Sequence, residues 1–189
     1  MSRFTKPAVV LTTLATLTLS ALVPGVAGAA GTADAGTTSE TTSRVVEKSD
    51  ARDLRTAQEN KRIMERFTSE FLTTGDPALA EELVSENIVM HFAGTTQQGR
   101  DTYLGIVNAN MAAFPDLKWT VEDMRAEGDT VAIRYTMTGT HEGTFAGVEG
   151  TGAAIHAESM AFYRLVDGKI VEERAQLDML TILQQMGAI

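Results

Sequence analysis

The sequence predicts an α+β domain in which a curved, mostly antiparallel sheet wraps around three helices, with a short further helix at the C-terminal end. Three observations carry this expectation. Apolar residues recur at helical spacing through the first part of the folded region, the period changes to strand alternation after Pro115, and Gly-containing turns divide the later part into strands of similar length.

Ile63, Met64, Phe67 and Phe71 mark one face of a long amphipathic helix that stops at Thr73-Thr74-Gly75-Asp76-Pro77. Pro77 suits the first turn of a second, short helix carrying Leu79 and Leu83, and Ile88 to Phe92 reads as a short strand. A third helix follows Gly99, with Tyr103, Val107, Met111 and Phe114 as its stripe and Pro115 as its end. Four strands follow, Trp119 to Ala126, Val131 to Thr140, Ile155 to Val166 and Ile170 to Leu177. Asp167-Gly168 between the last two is a hairpin signal. Met179 to Met186 is a closing helix with Asp178 at its N-cap.

Alternation also says which side chains face the interior. Val131, Ile133, Tyr135, Met137 and His141 form the apolar face of one strand, and Ala157, Ser159 and Ala161 leave room on the next. On the last strand Val171, Glu173, Ala175 and Leu177 point inward, against a more polar set of Ile170, Glu172, Arg174 and Gln176. Glu173 is the odd residue of that inner face. A carboxyl held in an apolar pocket has its pKa raised and becomes a candidate general base. The bland alternative is a carboxylate at the rim, paired or wetted.

The ends and the composition bound the rest. Arg3 and Lys6 precede an apolar run from Ala8 to Val23, and Ala27-Gly28-Ala29 offers small residues for cleavage. Residues 1–29 therefore read as a secretory signal peptide, cut near Ala29, residues 30–49 as a polar linker and residues 50–189 as the domain. Losing Arg3 and Lys6 takes the formal net charge from -9 to -11, which disfavours nucleic acid as a partner. With no Cys among 189 residues, disulfides, thiolate metal sites and Cys nucleophiles are excluded. A site made of His91, His141 and His156 needs three distant segments to converge, so no metal is expected. The mature product is expected outside the membrane.

Several segments, taken in order, resemble a known family. Ala113-Phe114-Pro115-Asp116-Leu117, Thr120-Val121-Glu122-Asp123, Ala126-Glu127-Gly128-Asp129 and Gly139-Thr140-His141-Glu142-Gly143-Thr144-Phe145-Ala146-Gly147 are similar to SnoaL-like polyketide cyclases, also called ester cyclases. Asp167-Gly168-Lys169-Ile170-Val171-Glu172 and the ending through Gln184-Gln185-Met186-Gly187 continue the likeness. The resemblance implies the nuclear transport factor 2-like cone and small oligomers, here a homodimer. It also implies a small-molecule substrate, aldol-type ring closure without metal or organic cofactor, and a catalytic aspartate whose position falls on Ala175. The histidine two residues earlier falls on Glu173, and pocket glutamine and histidine positions fall on Ser159 and Ala161. Glu173 is thus the catalytic candidate, and His91, Trp119, Tyr135, His141, Ser159, Ala161 and Ala175 are the candidate ligand contacts. Two functions stay open: an enzyme moving a proton through Glu173, and a non-catalytic extracellular module for ligand capture or dimer formation.

Overall fold

The computed structural model describes residues 36–189. Helix α1 (Gly36–Arg66) runs into a five-residue π-helical turn (Phe67–Phe71) and a last turn, α2 (Leu72–Thr74). The inserted π-turn carries Phe67 and Phe71, both fully buried, and each such ring contributes about 1.5–3 kcal/mol by leaving water. Gly75 ends the helix in the left-handed conformation at φ 59°, which a β-carbon would strain. Asp76 then caps α3 (Pro77–Leu83), its carboxylate accepting from the Ala78 N–H at 2.8 Å.

The strands are β1 (Val84–Phe92), β2 (Thr95–Gln98), β3 (Lys118–Glu127), β4 (Thr130–Thr140), β5 (Ala154–Val166) and β6 (Lys169–Leu177), with α4 (Arg100–Ala113) between β2 and β3 and α5 (Met179–Gln185) last. They form one six-stranded sheet in the order β2-β1-β6-β5-β4-β3, antiparallel except for the β1–β6 pair. The β5–β6 turn has positive φ at both Asp167 (50°) and Gly168 (76°), the hairpin geometry that matches strand twist. Asp178 caps α5 as expected, accepting from the Thr181 N–H at 3.0 Å.

Two buried clusters hold the concave face of the sheet to the helices. One joins the α1 and π-turn residues Met64, Phe67 and Phe71 to Tyr103 and Val107 of α4 and to Val131, Ile133, Tyr163 and Ile170 of the sheet. The other joins Phe114, Met137, Ile155 and Ala157 to Ile182 and Met186 at the C-terminal end. Asn60 ties α1 to the β3–β4 turn by donating to the Gly128 carbonyl at 3.0 Å.

Four expectations need correction. Residues 36–49, expected as part of a polar linker, are the first turns of α1. The first buried residue described on that helix is Ala57. Ile170, assigned to the outer face of the last strand, is fully buried. The β5–β6 register breaks between Arg164 and Leu165, Ile170 pairs with Leu165, and Val171 is the extra residue of a bulge that resets the alternation before Glu172. Strand β2 was not expected, since Thr95-Thr96-Gln97-Gln98 is polar and exposed throughout and is held as an edge by its antiparallel ladder to β1. The short strand expected at Ile88 begins earlier, at Val84. Residues 1–29, expected as the signal peptide, and the first part of the linker lie outside the described residues.

Candidate active site

The two buried clusters do not meet along the whole concave face, and a cavity of about 320 Å³ lies between them. That volume falls at the lower end of the range for small-molecule sites. Most of the wall is apolar or aromatic, and among the described residues no Lys or Arg lines it. Trp119, Tyr135, Ser159, Ala161, Glu173 and Ala175, the inward-facing residues expected to meet a ligand, all line it.

Glu173 sits near the middle of the sheet, its Cα opposite Tyr163 of β5 on one side and Met90 of β1 on the other. It is half-buried and lines the cavity, and no Lys or Arg among the described residues pairs with it. The Tyr163 hydroxyl donates to Glu173 Oε1 at 3.1 Å, and the Tyr103 hydroxyl, reaching across from α4, approaches the same carboxyl. Tyr135 donates in turn to the Tyr163 hydroxyl at 3.4 Å. Burial pushes the Glu173 carboxyl above the ordinary carboxylate range, while hydrogen bonding from Tyr103 and Tyr163 pulls it part of the way back. Burial, and then the nearby Glu173 charge, lifts Tyr103 and Tyr163 well above the usual phenol value. Tyr135 is raised too, chiefly by burial. All three phenols are therefore protonated donors at neutral pH.

The tyrosines are themselves held by rings. Phe67 of the π-turn lies parallel to Tyr103 at a centroid distance of 6.1 Å and edge-on to Tyr163 at 5.5 Å. Trp119 meets Tyr135 edge-on at 5.8 Å. Neither Tyr103 nor Tyr163 was singled out by sequence as a functional residue, because each fits a core stripe. The available signal was the β5 alternation, which continues from Ser159 and Ala161 to Tyr163, directly opposite Glu173.

Of the two histidines expected to meet a ligand, His91 lines the cavity and His141 does not. His91 reaches the rim of the cavity, but its imidazole is occupied by the Thr96 hydroxyl at 3.1 Å and by Glu172 at 3.4 Å. Its Cα pairs in register with Arg174 of β6. His141 is fully buried and is not part of the cavity wall. Its Nδ1 accepts from the Thr151 N–H at 3.3 Å and lies 3.1 Å from the Thr151 hydroxyl, clamping the ends of the loop that follows β4. That loop delivers Phe145 to the cavity through a tight turn, in which Phe145 and Val148 exchange both backbone hydrogen bonds at 2.9 Å.

The SnoaL-like polyketide cyclase model matches residues 62–186. The chain belongs to this family. Its fold is the nuclear transport factor 2-like cone shared by many solved structures. IdmH from Streptomyces antibioticus, assigned as a polyketide cyclase, is 31% identical with a TM-score of 0.61, the match covering 68% of this chain and 98% of IdmH. AclR from Streptomyces galilaeus, assigned as a hydroxylase, is 28% identical with a TM-score of 0.63 and coverages of 70% and 98%. A SnoaL-like polyketide cyclase assigned in Jannaschia sp. CCS1 superposes with a TM-score of 0.65 at 23% identity, over 71% of this chain and 95% of its own, and supports the fold alone. No curated protein matches the chain significantly. Cyclase and hydroxylase assignments on one fold leave the reaction to be argued from the site.

Proposed function

We propose that this SnoaL-like protein binds a small, largely apolar or aromatic metabolite in the cavity and that Glu173 moves a proton to or from one of its carbons, as in enolisation or aldol-type ring closure. The observation that carries this reading is a half-buried carboxyl, raised by desolvation and unpaired with any Lys or Arg among the described residues, on the wall of an apolar cavity. The aspartate position implied by the family resemblance is Ala175, which also lines the cavity. Residues two apart on one strand share a face, about 6–7 Å from each other, and the longer Glu173 side chain presents its carboxyl to the same chamber. No step in this chemistry requires a metal or organic cofactor.

The test is exchange of the α-protons of a neutral aryl ketone into deuterated water, followed by NMR. Glu173→Gln is expected to slow the catalysed part about 10²–10⁴-fold, the range for loss of a general base. Equal exchange by the two proteins removes Glu173 from the chemistry.

A second reading, association of two copies, is favoured by a separate observation. On the outer face of β5, Met160 and Phe162 are each 59% exposed, with Arg134, Glu158, Arg164 and Glu172 around them. We propose that this strip meets its counterpart on a second copy. Phe162→Glu is then expected to shift the mass in light scattering from dimer to monomer, and an unchanged mass refutes this interface. Export with loss of residues 1–29 is the third part of the proposal, checked by N-terminal sequencing of protein recovered outside the cell.

A further inference from the structure

Glu173, Tyr163 and Tyr135 form a head-to-tail hydrogen-bonded row, and all three line the cavity. Tyr135 gives its hydrogen to the Tyr163 oxygen, and Tyr163 gives its own to Glu173. The row therefore begins and ends on the same ligand chamber. The 3.4 Å link from Tyr135 is the longer of the two and the easier to exchange for a ligand oxygen. No other hydroxyl row in the cavity wall reaches the carboxyl from a neighbouring strand: Ser159 makes no side-chain hydrogen bond among the described residues.

We infer that Glu173, Tyr163 and Tyr135 act as a closed proton relay, taking a proton from a ligand carbon at one end and delivering a proton to the ligand's carbonyl oxygen at the other. This inference rests on the proposed role of Glu173 as a base. Glu173 accepts the carbon-bound proton, and the C–H electron pair becomes the carbon–carbon π bond of an enol. The protonated carboxyl is now a donor, so the two phenol O–H groups turn about their C–O bonds and the row runs the other way. Tyr135 gives its proton to the carbonyl oxygen, whose π pair forms the new O–H bond. Tyr163 replaces the proton on Tyr135, and Glu173 replaces the one on Tyr163. Carboxylate and both phenols are restored, the ligand has undergone a keto-to-enol isomerisation, and no co-reactant is consumed. Concerted passage along the row avoids a free phenolate, which the buried setting disfavours. The reaction is self-contained in a chamber that no Lys or Arg among the described residues lines, and its substrate class is a neutral carbonyl compound with an enolisable C–H.

The relay is tested by release of tritium from α-tritiated 2-tetralone, measured in water, deuterated water and their mixtures. Wild type is expected to show a curved dependence on deuterium fraction, because several exchangeable protons move together. Tyr163→Phe keeps the ring, its packing against Phe67 and the base, but cuts the row. It is expected to release tritium at least about 10-fold more slowly with the curvature abolished, and Tyr135→Phe is expected to do the same. Tyr103→Phe, which removes a donor to Glu173 outside the row, is expected to retain the curvature whatever its rate. Loss of release in Glu173→Gln together with a flat dependence in wild type, or with unchanged behaviour of Tyr163→Phe, overturns the relay and leaves the base. Undiminished release by Glu173→Gln, or no release by wild type, overturns both.

Discussion

Phe67→Ala is the substitution that most directly probes how the site is held. Phe67 is fully buried in the π-turn and touches three other rings: Phe71 at 5.5 Å, Tyr103 at 6.1 Å and Tyr163 at 5.5 Å between centroids. Removing a buried phenyl group costs about 3–5 kcal/mol through lost transfer energy and the cavity left behind. The three aromatic contacts place this case in the upper part of that range, about 4–5 kcal/mol. For a chain of this size that is a fall in Tm of roughly 8–20 °C. Denaturant unfolding at fixed pH gives the free energy, and the same protein assayed for tritium release gives the second readout. With their backing gone, Tyr103 and Tyr163 are expected to lose their fixed approach to Glu173, so the rate falls while Glu173 itself is intact. A loss of stability below about 1 kcal/mol would refute the idea that the π-turn braces the tyrosines. A full loss of stability with an unchanged rate would refute the link to the site.

Glu173→Gln is expected to stabilise the protein at neutral pH while abolishing proton transfer. A carboxyl raised in the native state binds its proton more tightly folded than unfolded, so its penalty is absent below the unfolded pKa and grows as pH rises through the native one. Melting curves of wild type and variant should thus converge below about pH 4 and separate above it. Asp178→Ala removes the acceptor for both the Thr181 N–H and its hydroxyl, and a few degrees of Tm should go with it. The Asp178 carboxyl is held low by those two donors, so its contribution is present at neutral pH and disappears as pH falls through the native pKa. Gly143→Ala would put a methyl group 2.4 Å from the Ala112 carbonyl oxygen, a backbone atom that cannot swing aside. About 1–3 kcal/mol of destabilisation in chemical unfolding is expected, with weaker ligand binding as Phe145 is displaced.

The inner wall of the cavity was legible because strand alternation is a strict period of two. Tyr135, Ser159, Ala161, Glu173 and Ala175 all follow from it, and all line the chamber. The period fails where one residue is inserted, and Val171 did that: Ile170 was assigned outward and is buried. Tyr103 and Tyr163 were hidden for a different reason. A phenol at a core position resembles any large apolar residue until the partner of its hydroxyl is known, and that partner lies on another element. His141 shows the converse, since its strand-end position suggested a ligand contact but its nitrogen is used by Thr151, ten residues later. Strand β2 has no apolar signal at all, and only its ladder to β1 defines it. The helical start of α1 was likewise invisible, because its Gly, Thr and Ser residues are weak helix formers.

The order β2-β1-β6-β5-β4-β3 puts the last strand of the chain at the centre of the sheet. Until β6 is available, β1 has no parallel neighbour, and the pairing that joins them spans about 85 residues, a separation that slows folding. During synthesis the two halves of the domain remain unjoined until β6 has emerged. A product lacking β6 would expose the flanks of β1 and β5 and be prone to aggregate, so assembly of this domain waits on the one strand that joins its two halves.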